Sequence, residues 1–268
     1  MKICITGYSG FLGKHLSNYL AKKFNIIKVN LRQLPQKNTK DFNKFLKQIT
    51  KSKIIINCAA SLNPKNENDF FINESFPKLL QSHIEKSKSK ALLIHISSIN
   101  VLLKDRNDHY TISKRKVEKK LLSKKIVILR LPFLYKKTNG VIKNSGSLKI
   151  FFKYLDTKFL PIYPMMYPGH IHRPIEINKL SIFIFNLIKK KNIHKQKIYN
   201  IVGKDKISLW DFFLDIAFLK KKKVYKLNTK SIKKILPNFI LNYFRKSLNL
   251  QMLLSIDNSN FKEKKIIL

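Results

Sequence analysis

Tyr110 and Lys114 stand at positions i and i+4 of "YTISK". On a helix that spacing puts both side chains on one face. A free phenol, with a pKa near ~10, is a poor proton donor or base at neutrality. A neighbouring ammonium favours the phenolate and brings the group toward the range where general acid/base catalysis works. Shortly upstream, Ser97 and Ser98 close the apolar run "ALLIHISS". A hydroxyl there can hydrogen-bond a substrate oxygen as charge develops on it. Ser98 is the candidate for that role, with Ser97 as the alternative.

A second constellation opens the chain. Gly7, Gly10 and Gly13 lie in "TGYSGFLGKHL", directly after "KICI", in a chain with only 7 glycines. A strand, a glycine-rich turn and a helix in that order form the start of a dinucleotide-binding unit. Gly7 allows the tight turn. Gly10 lets the backbone approach a pyrophosphate, and Gly13 lets the first helix pack against the sheet. The backbone N–H groups at the helix start, those of Phe11 and Leu12 included, then hold the phosphates.

The elements that must position these residues alternate through the first half. "KICIT", "NIIKVNL", "KIIINCAA", "ALLIHISS" and "KIVILRLP" read as strands. Helical patterns separate them, as in "KDFNKFLKQITK", where Phe42, Leu46 and Ile49 share one side. Continuous apolar strands are expected where helices cover both faces of a parallel sheet. The expectation is an α/β fold: a Rossmann-type doubly wound parallel sheet with a small mixed C-terminal substrate lobe. The dinucleotide-binding domain spans 1–140 and the lobe 141–268, with about 170–205 returning to the core. Past Tyr135, "KKTNGVIKNSGS" reads as a loop, 161–174 as a Pro-rich stretch, the region from about 178 as a helix and "KIYNIVG" as a strand.

The net charge is +40, from 55 basic and 15 acidic residues. The arginines are Arg32, Arg106, Arg115, Arg130, Arg173 and Arg245; the other basic residues are lysines. Groove and phosphate readers favour the planar fork of arginine. With Lys, Ile, Asn and Phe all abundant, the charge reads as A/T-rich coding bias on a solvated surface, and nucleic acid is not expected as a partner. Cys4 and Cys58 lie in apolar runs and suggest buried reduced thiols in a cytoplasmic protein. No secretory signal is read at the start. The longest apolar stretch, "LSIFIFNLI", is far short of the ~20 residues of a membrane span. The basic amphipathic segment "SIKKILPNFILNYFRKSL" reads as a packed helix, with weak peripheral membrane contact as its alternative. No metal site is expected.

The glycine spacing is G-x-x-G-x-x-G. With the preceding Thr6, "TGYSGFLG" resembles the short-chain dehydrogenase/reductase superfamily, especially its extended, nucleotide-sugar-modifying branch of NAD(P)-dependent epimerases, dehydratases and reductases. The resemblance extends down the chain. "NCAA" at Asn57 to Ala60 matches the family's NxAA strand end, which implies that Ala59 and Ala60 lie beside the cofactor. Asn73 in "FFINES", Ser97, Ser98 and Val101 in "HISSINV", YxxxK at Tyr110 and Lys114, and Arg130 and Pro132 in "ILRLPFLY" follow in the family's order. Late in the chain, "YNIVG" and "ISLWDF" look like its last strand and helix. The resemblance implies Ser98, Tyr110 and Lys114 as catalytic residues. It implies Gly7, Gly10, Phe11, Leu12, Gly13, Ala59, Ala60, Tyr110, Lys114 and Pro132 as cofactor contacts.

Several positions depart from the pattern. The connection between Ser98 and Tyr110 is about half the family's length, so the site is expected to be more open. One helix, in place of a helix-strand-helix insertion, joins the second and third strands, so the sheet is expected to lack one strand. At the end of the second strand, "VNLRQ" offers Arg32 where an Asp would favour NAD; a cation suits a 2′-phosphate, so NADP is preferred over NAD. "RPIEINKL" places Arg173 where epimerases bind a substrate diphosphate, and it is equally compatible with a structural ion pair. The activity implied is reduction of a keto-sugar carbonyl on a nucleotide sugar, similar to dTDP-4-dehydrorhamnose reductases. The alternatives are a 4-epimerase with retained NAD and a non-catalytic dinucleotide-binding module. Many relatives pair, so a homodimer is compatible with the reading.

Overall fold

The computed structural model describes residues 1–31, 39–104, 106–121, 125–138, 141–143, 149–157, 161–190, 198–228 and 261–268. In chain order the first half runs β1 (Lys2–Thr6), α1 (Phe11–Leu20), β2 (Asn25–Val29), α2 (Lys40–Thr50), β3 (Ile54–Asn57) and α3 (Glu67–Phe70). A single wide turn of helix, Phe71–Ser75, joins α3 to α4 (Phe76–Lys86), and β4 (Leu92–Ser98) follows. Then come a tight turn at Ile99–Leu102, α5 (His109–Glu118) and β5 (Ile126–Leu131).

The second half holds β6 (Leu134–Thr138), β7 (Val141–Lys143), α6 (Lys149–Leu155), β8 (Tyr163–Tyr167), β9 (Ile171–His172) and β10 (Ile175–Glu176). It closes with α7 (Ile177–Lys189), β11 (Ile198–Val202), β12 (Ile207–Ser208), α8 (Leu209–Leu219), β13 (Val224–Asn228) and β14 (Lys265–Ile267).

Seven strands form the central sheet, in the order β14-β11-β5-β4-β3-β1-β2. The pairings β1–β2, β1–β3, β3–β4, β4–β5 and β5–β11 are parallel. This is the Rossmann-type α/β architecture. Among the described residues β2 ends the sheet on its side, while β14 supplies a seventh strand at the opposite edge, which the sequence reading did not foresee.

The chain divides into two compact units. The first comprises Met1–Ser98, Tyr110–Leu131 and Lys179–Asn200; the second comprises Ile99–His109, Pro132–Asn178 and Ile201–Leu268. The strands of the first unit are apolar throughout because helices shield them: β3 is buried at every position and β1 at all but its first. Helix α2 shows how the layer is built. Thr39 caps it by accepting from the Phe42 N–H, Asp41 sits in its first turn, and Phe42, Leu46 and Ile49 turn one face to the core. There they join Cys4, Ile55, Phe76, Leu80, Leu93 and Val117. Each large apolar side chain so buried contributes roughly 1.5–3 kcal/mol.

The second unit has its own core of Leu155, Tyr163, Leu209, Phe212, Phe213, Ile216 and Ala217. Helix α8 starts at a capping box in which Ser208 and Asp211 satisfy each other's backbone N–H groups. The expected loop after Tyr135 is corrected here. β6 and β7 pair antiparallel, Lys136 opposite Lys143 and Thr138 opposite Val141, while 144–148 lie outside the described residues. The Pro-rich stretch contains β8, which pairs in parallel with β13. The basic segment 231–248 also lies outside the described residues. Among the described residues no helix is long and apolar enough to cross a membrane.

Candidate active site

The glycine turn is shaped by what cannot fit in it. Gly7 adopts φ +68°, and a Cβ there would stand 2.6 Å from Ala59 Cα. Both facts demand glycine. A Cβ on Gly13 would stand 2.2 Å from the Gly7 carbonyl oxygen, so α1 packs on the turn itself. Gly10 is less constrained, with the Gly7 oxygen 3.3 Å from its would-be Cβ. It is the exposed N-cap of α1 and offers no side-chain cap, so the first N–H groups of that helix lack the usual side-chain acceptor. Phe11 and Leu12 open the helix half-buried. This cradle of bare backbone and uncapped donors fits a dinucleotide diphosphate, which Gly7, Gly10, Phe11, Leu12 and Gly13 would hold.

Polar side chains fix the strand end beside the turn. Asn57 Oδ1 accepts from Thr6 Oγ1 at 2.6 Å and from the Ala59 N–H at 3.3 Å. Its Nδ2 meets His95 Nδ1 at 3.1 Å. His95 is buried, and its imidazole is held well below its ordinary range by burial and by the Lys114 charge. Ala59 is buried against Gly7, and Ala60 is exposed. Asn73 belongs to the wide turn before α4. It accepts from the Ser61 N–H at 2.8 Å, donates to the Ser61 carbonyl at 2.9 Å and reaches Ser113 Oγ at 3.4 Å. It thereby ties the loop after β3 to α5.

Helix α5 presents Tyr110 and Lys114 together, with Lys114 Nζ 5.7 Å from the Tyr110 ring centroid. Lys114 is 1% exposed, and its ammonium donates to the Ile96 carbonyl at 3.0 Å. Burial pushes Lys114 down to about 8, against the opposing pull of Glu118 and Cys58. Cys58 itself is pushed up to about 12 by burial, so its thiol stays protonated. Ser98 ends β4 and is buried. Ser97 is committed elsewhere: its hydroxyl donates to Glu118 Oε1. The pleat aims successive strand residues at opposite faces. Ser97 and Ser98 thus belong to opposite faces of the sheet, and it is Ser97 whose hydroxyl meets Glu118.

Glu118 was not singled out in the sequence, yet it organises this region. Arg130 donates to both its oxygens, from Nε at 3.2 and 3.0 Å and from Nη2 at 2.6 Å, and passes Nη1 to Asn200. The available signal was its place as the one acid in α5, one turn beyond Lys114. A second unforeseen pair lies in the short connection before Tyr110. Arg106 and Asp108 form a buried ion pair at 2.9 Å within this short connection.

The remaining sequence candidates are placed as follows. Pro132 and Arg173 belong to the second unit. Arg173 donates from Nη1 to the Lys204 carbonyl at 3.0 Å, and its buried Nε has no partner among the described residues. Arg32 lies outside the described residues. Among the described residues no cluster of His, Cys, Asp or Glu could hold a metal ion.

The model of the RmlD substrate binding domain family matches residues 1–237. No curated protein sequence matches the chain. Among solved structures, a dTDP-4-dehydrorhamnose reductase from Clostridium acetobutylicum superposes with a TM-score of 0.67 at 22% identity, covering 86% of this chain and 85% of that one. The Bacillus anthracis dTDP-4-dehydrorhamnose reductase in complex with NADP gives 0.65 at 22%, covering 85% and 83%. The Bacillus cereus UDP-glucuronic acid 4-epimerase in complex with NAD gives 0.61 at 20%, covering 85% and 86%. At these identities the likeness is one of fold. The family match spans most of the chain: the chain belongs to the RmlD substrate-binding-domain family.

Proposed function

We propose that this protein is a nucleotide-sugar reductase that converts a keto-sugar carbonyl to an alcohol, in the manner of dTDP-4-dehydrorhamnose reductases. The observation that carries the reading is the buried Lys114 ammonium beside the Tyr110 ring, on a helix that follows the strand ending in Ser98. NADPH, when bound on the glycine turn, would supply the hydride that the carbonyl carbon takes up. Ser98 orients the substrate oxygen by donating a hydrogen bond to it. Tyr110 gives its phenolic proton to that oxygen, and Lys114 favours the phenolate left behind. Thr6, Asn57 and His95 hold the β3 end against the glycine turn, and the turn binds the diphosphate.

The first unit is read as the dinucleotide-binding part and the second as the substrate lobe, with Pro132 and Arg173 as contacts of cofactor and sugar nucleotide. The structural likeness to 4-epimerases favours a second reading, in which NAD is retained between turnovers.

The test is NADPH consumption with a dTDP-4-dehydro sugar, in the wild type and in Tyr110→Phe. Turnover should fall by about 10²–10⁴-fold in the variant while NADPH affinity stays unchanged. Equal turnover by the two proteins overturns the mechanism. Purified protein carrying NAD that survives dilution transfers support to the epimerase.

A further inference from the structure

Lys114 is a buried cation whose protein acceptor is a neutral carbonyl, that of Ile96. Such a charge is costly to keep unless a counter-charge stands near it. The titratable groups that face it come from three elements. Cys58 follows the end of β3, His95 lies on β4, and Tyr110 and Glu118 lie on α5. The Cys58 thiol and the His95 imidazole are both held neutral near neutrality. The negative charge comes from Glu118, one helical turn beyond Lys114.

That carboxylate is unusually well fixed. Its side chain is 7% exposed, Ser97 of β4 donates to one oxygen, and Arg130 of β5 donates to both. Arg130 is anchored in turn on Asn200 of β11.

We propose that Glu118 is a positioning residue for the reaction: clamped by Ser97 and Arg130, its carboxylate keeps Lys114 an ammonium and keeps that ammonium on the Ile96 carbonyl beside Tyr110. The catalytic consequence rests on the reductase reading above; the electrostatic one does not. Without the carboxylate, burial acts on Lys114 with little opposition, and the ammonium is lost at lower pH.

The experiment follows the Lys114 side chain directly, by NMR of protein labelled with [¹³Cε]lysine, with the signal assigned from its absence in Lys114→Arg. In Glu118→Gln the titration midpoint should move down by about one pH unit. Glu118→Gln also strips Arg130 of its anion, so Glu118→Gln/Arg130→Met is measured beside it and should move in the same direction. The alkaline limb of turnover should follow the midpoint. A purely structural Glu118 would lower stability and leave the midpoint in place, which overturns the proposal. A wild-type midpoint below neutrality overturns it without any variant. A midpoint that moves in a protein with no reductase activity sinks the functional reading and leaves the assignment of Glu118 standing.

Discussion

The glycine turn and helix α5 serve the same end of the parallel sheet by opposite means. The turn works by omission: three missing side chains let backbone meet backbone at Gly7, Ala59 and the start of α1. Helix α5 works by inclusion, because it brings Lys114 and Glu118 into the interior and must find partners for both. The first arrangement is steric and indifferent to pH. The second is electrostatic and holds only while the buried groups keep their charges. Under the proposed function, binding of a dinucleotide and activation of a phenol would therefore have separate physical supports, and each could be damaged without the other.

The largest separation should come from the turn. Gly13→Val would drive a side chain into the Gly7 carbonyl and should cost about 4 kcal/mol of stability, with loss of cofactor binding. Gly10→Ala, whose Cβ has 3.3 Å to the nearest atom, should cost less than ~1 kcal/mol. Urea denaturation of the two variants checks the contrast, and equal losses would break the steric account.

On the α5 side the two serines provide the matching test. Ser98→Ala should lower turnover by about 10²-fold, the range for removing one donor to a developing oxyanion. Ser97→Ala should act mainly on stability, by ~1 kcal/mol through its lost bond to Glu118, with a far smaller effect on turnover. Steady-state rates and thermal melts of the pair decide it; a reversed order would make Ser97 the active hydroxyl.

The effect of pH is the most specific. Lys114 is pushed down to about 8 in the folded protein from its ordinary 10.5. Between those values the unfolded chain binds more protons, so this group adds stability as pH rises from 8 to 10.5. Turnover should fall over the same window as the ammonium is lost. Denaturation of the wild type against Lys114→Met at both pH values should show the wild type gaining on the variant.

The parts legible in the sequence are those set by local sterics or local spacing. Gly7, Gly10 and Gly13 announce their turn because few other residues can make it. Tyr110 and Lys114 announce a shared helix face because 3.6 residues close each turn. The clamp on Glu118 had no such signal, since Ser97, Arg130 and Asn200 come from three different strands and only the folded sheet assembles them. The β6–β7 hairpin was missed for another reason. Its lysines obscure the alternation of a strand, although Asn139-Gly140 between Thr138 and Val141 is the residue pair that two-residue hairpins favour. β14 is three residues long and acquires its identity only by pairing at the sheet edge, where the Leu268 N–H reaches the Val202 carbonyl.

The adjacent hydroxyls at the end of β4 have a consequence for how this chain tolerates change. Ser97 stands opposite Arg130 and Ser98 opposite Leu131 in the pairing with β5. Because side chains alternate with a period of two, inserting or deleting a single residue within Leu92–Ser98 would exchange the two serines between the layers. The hydroxyl that the proposed function offers to substrate would become the one bound to Glu118. On the proposed function, a frame of seven residues thus guards the chemistry more strictly than the identity of any apolar residue within it, and length variation among natural descendants should fall outside that strand.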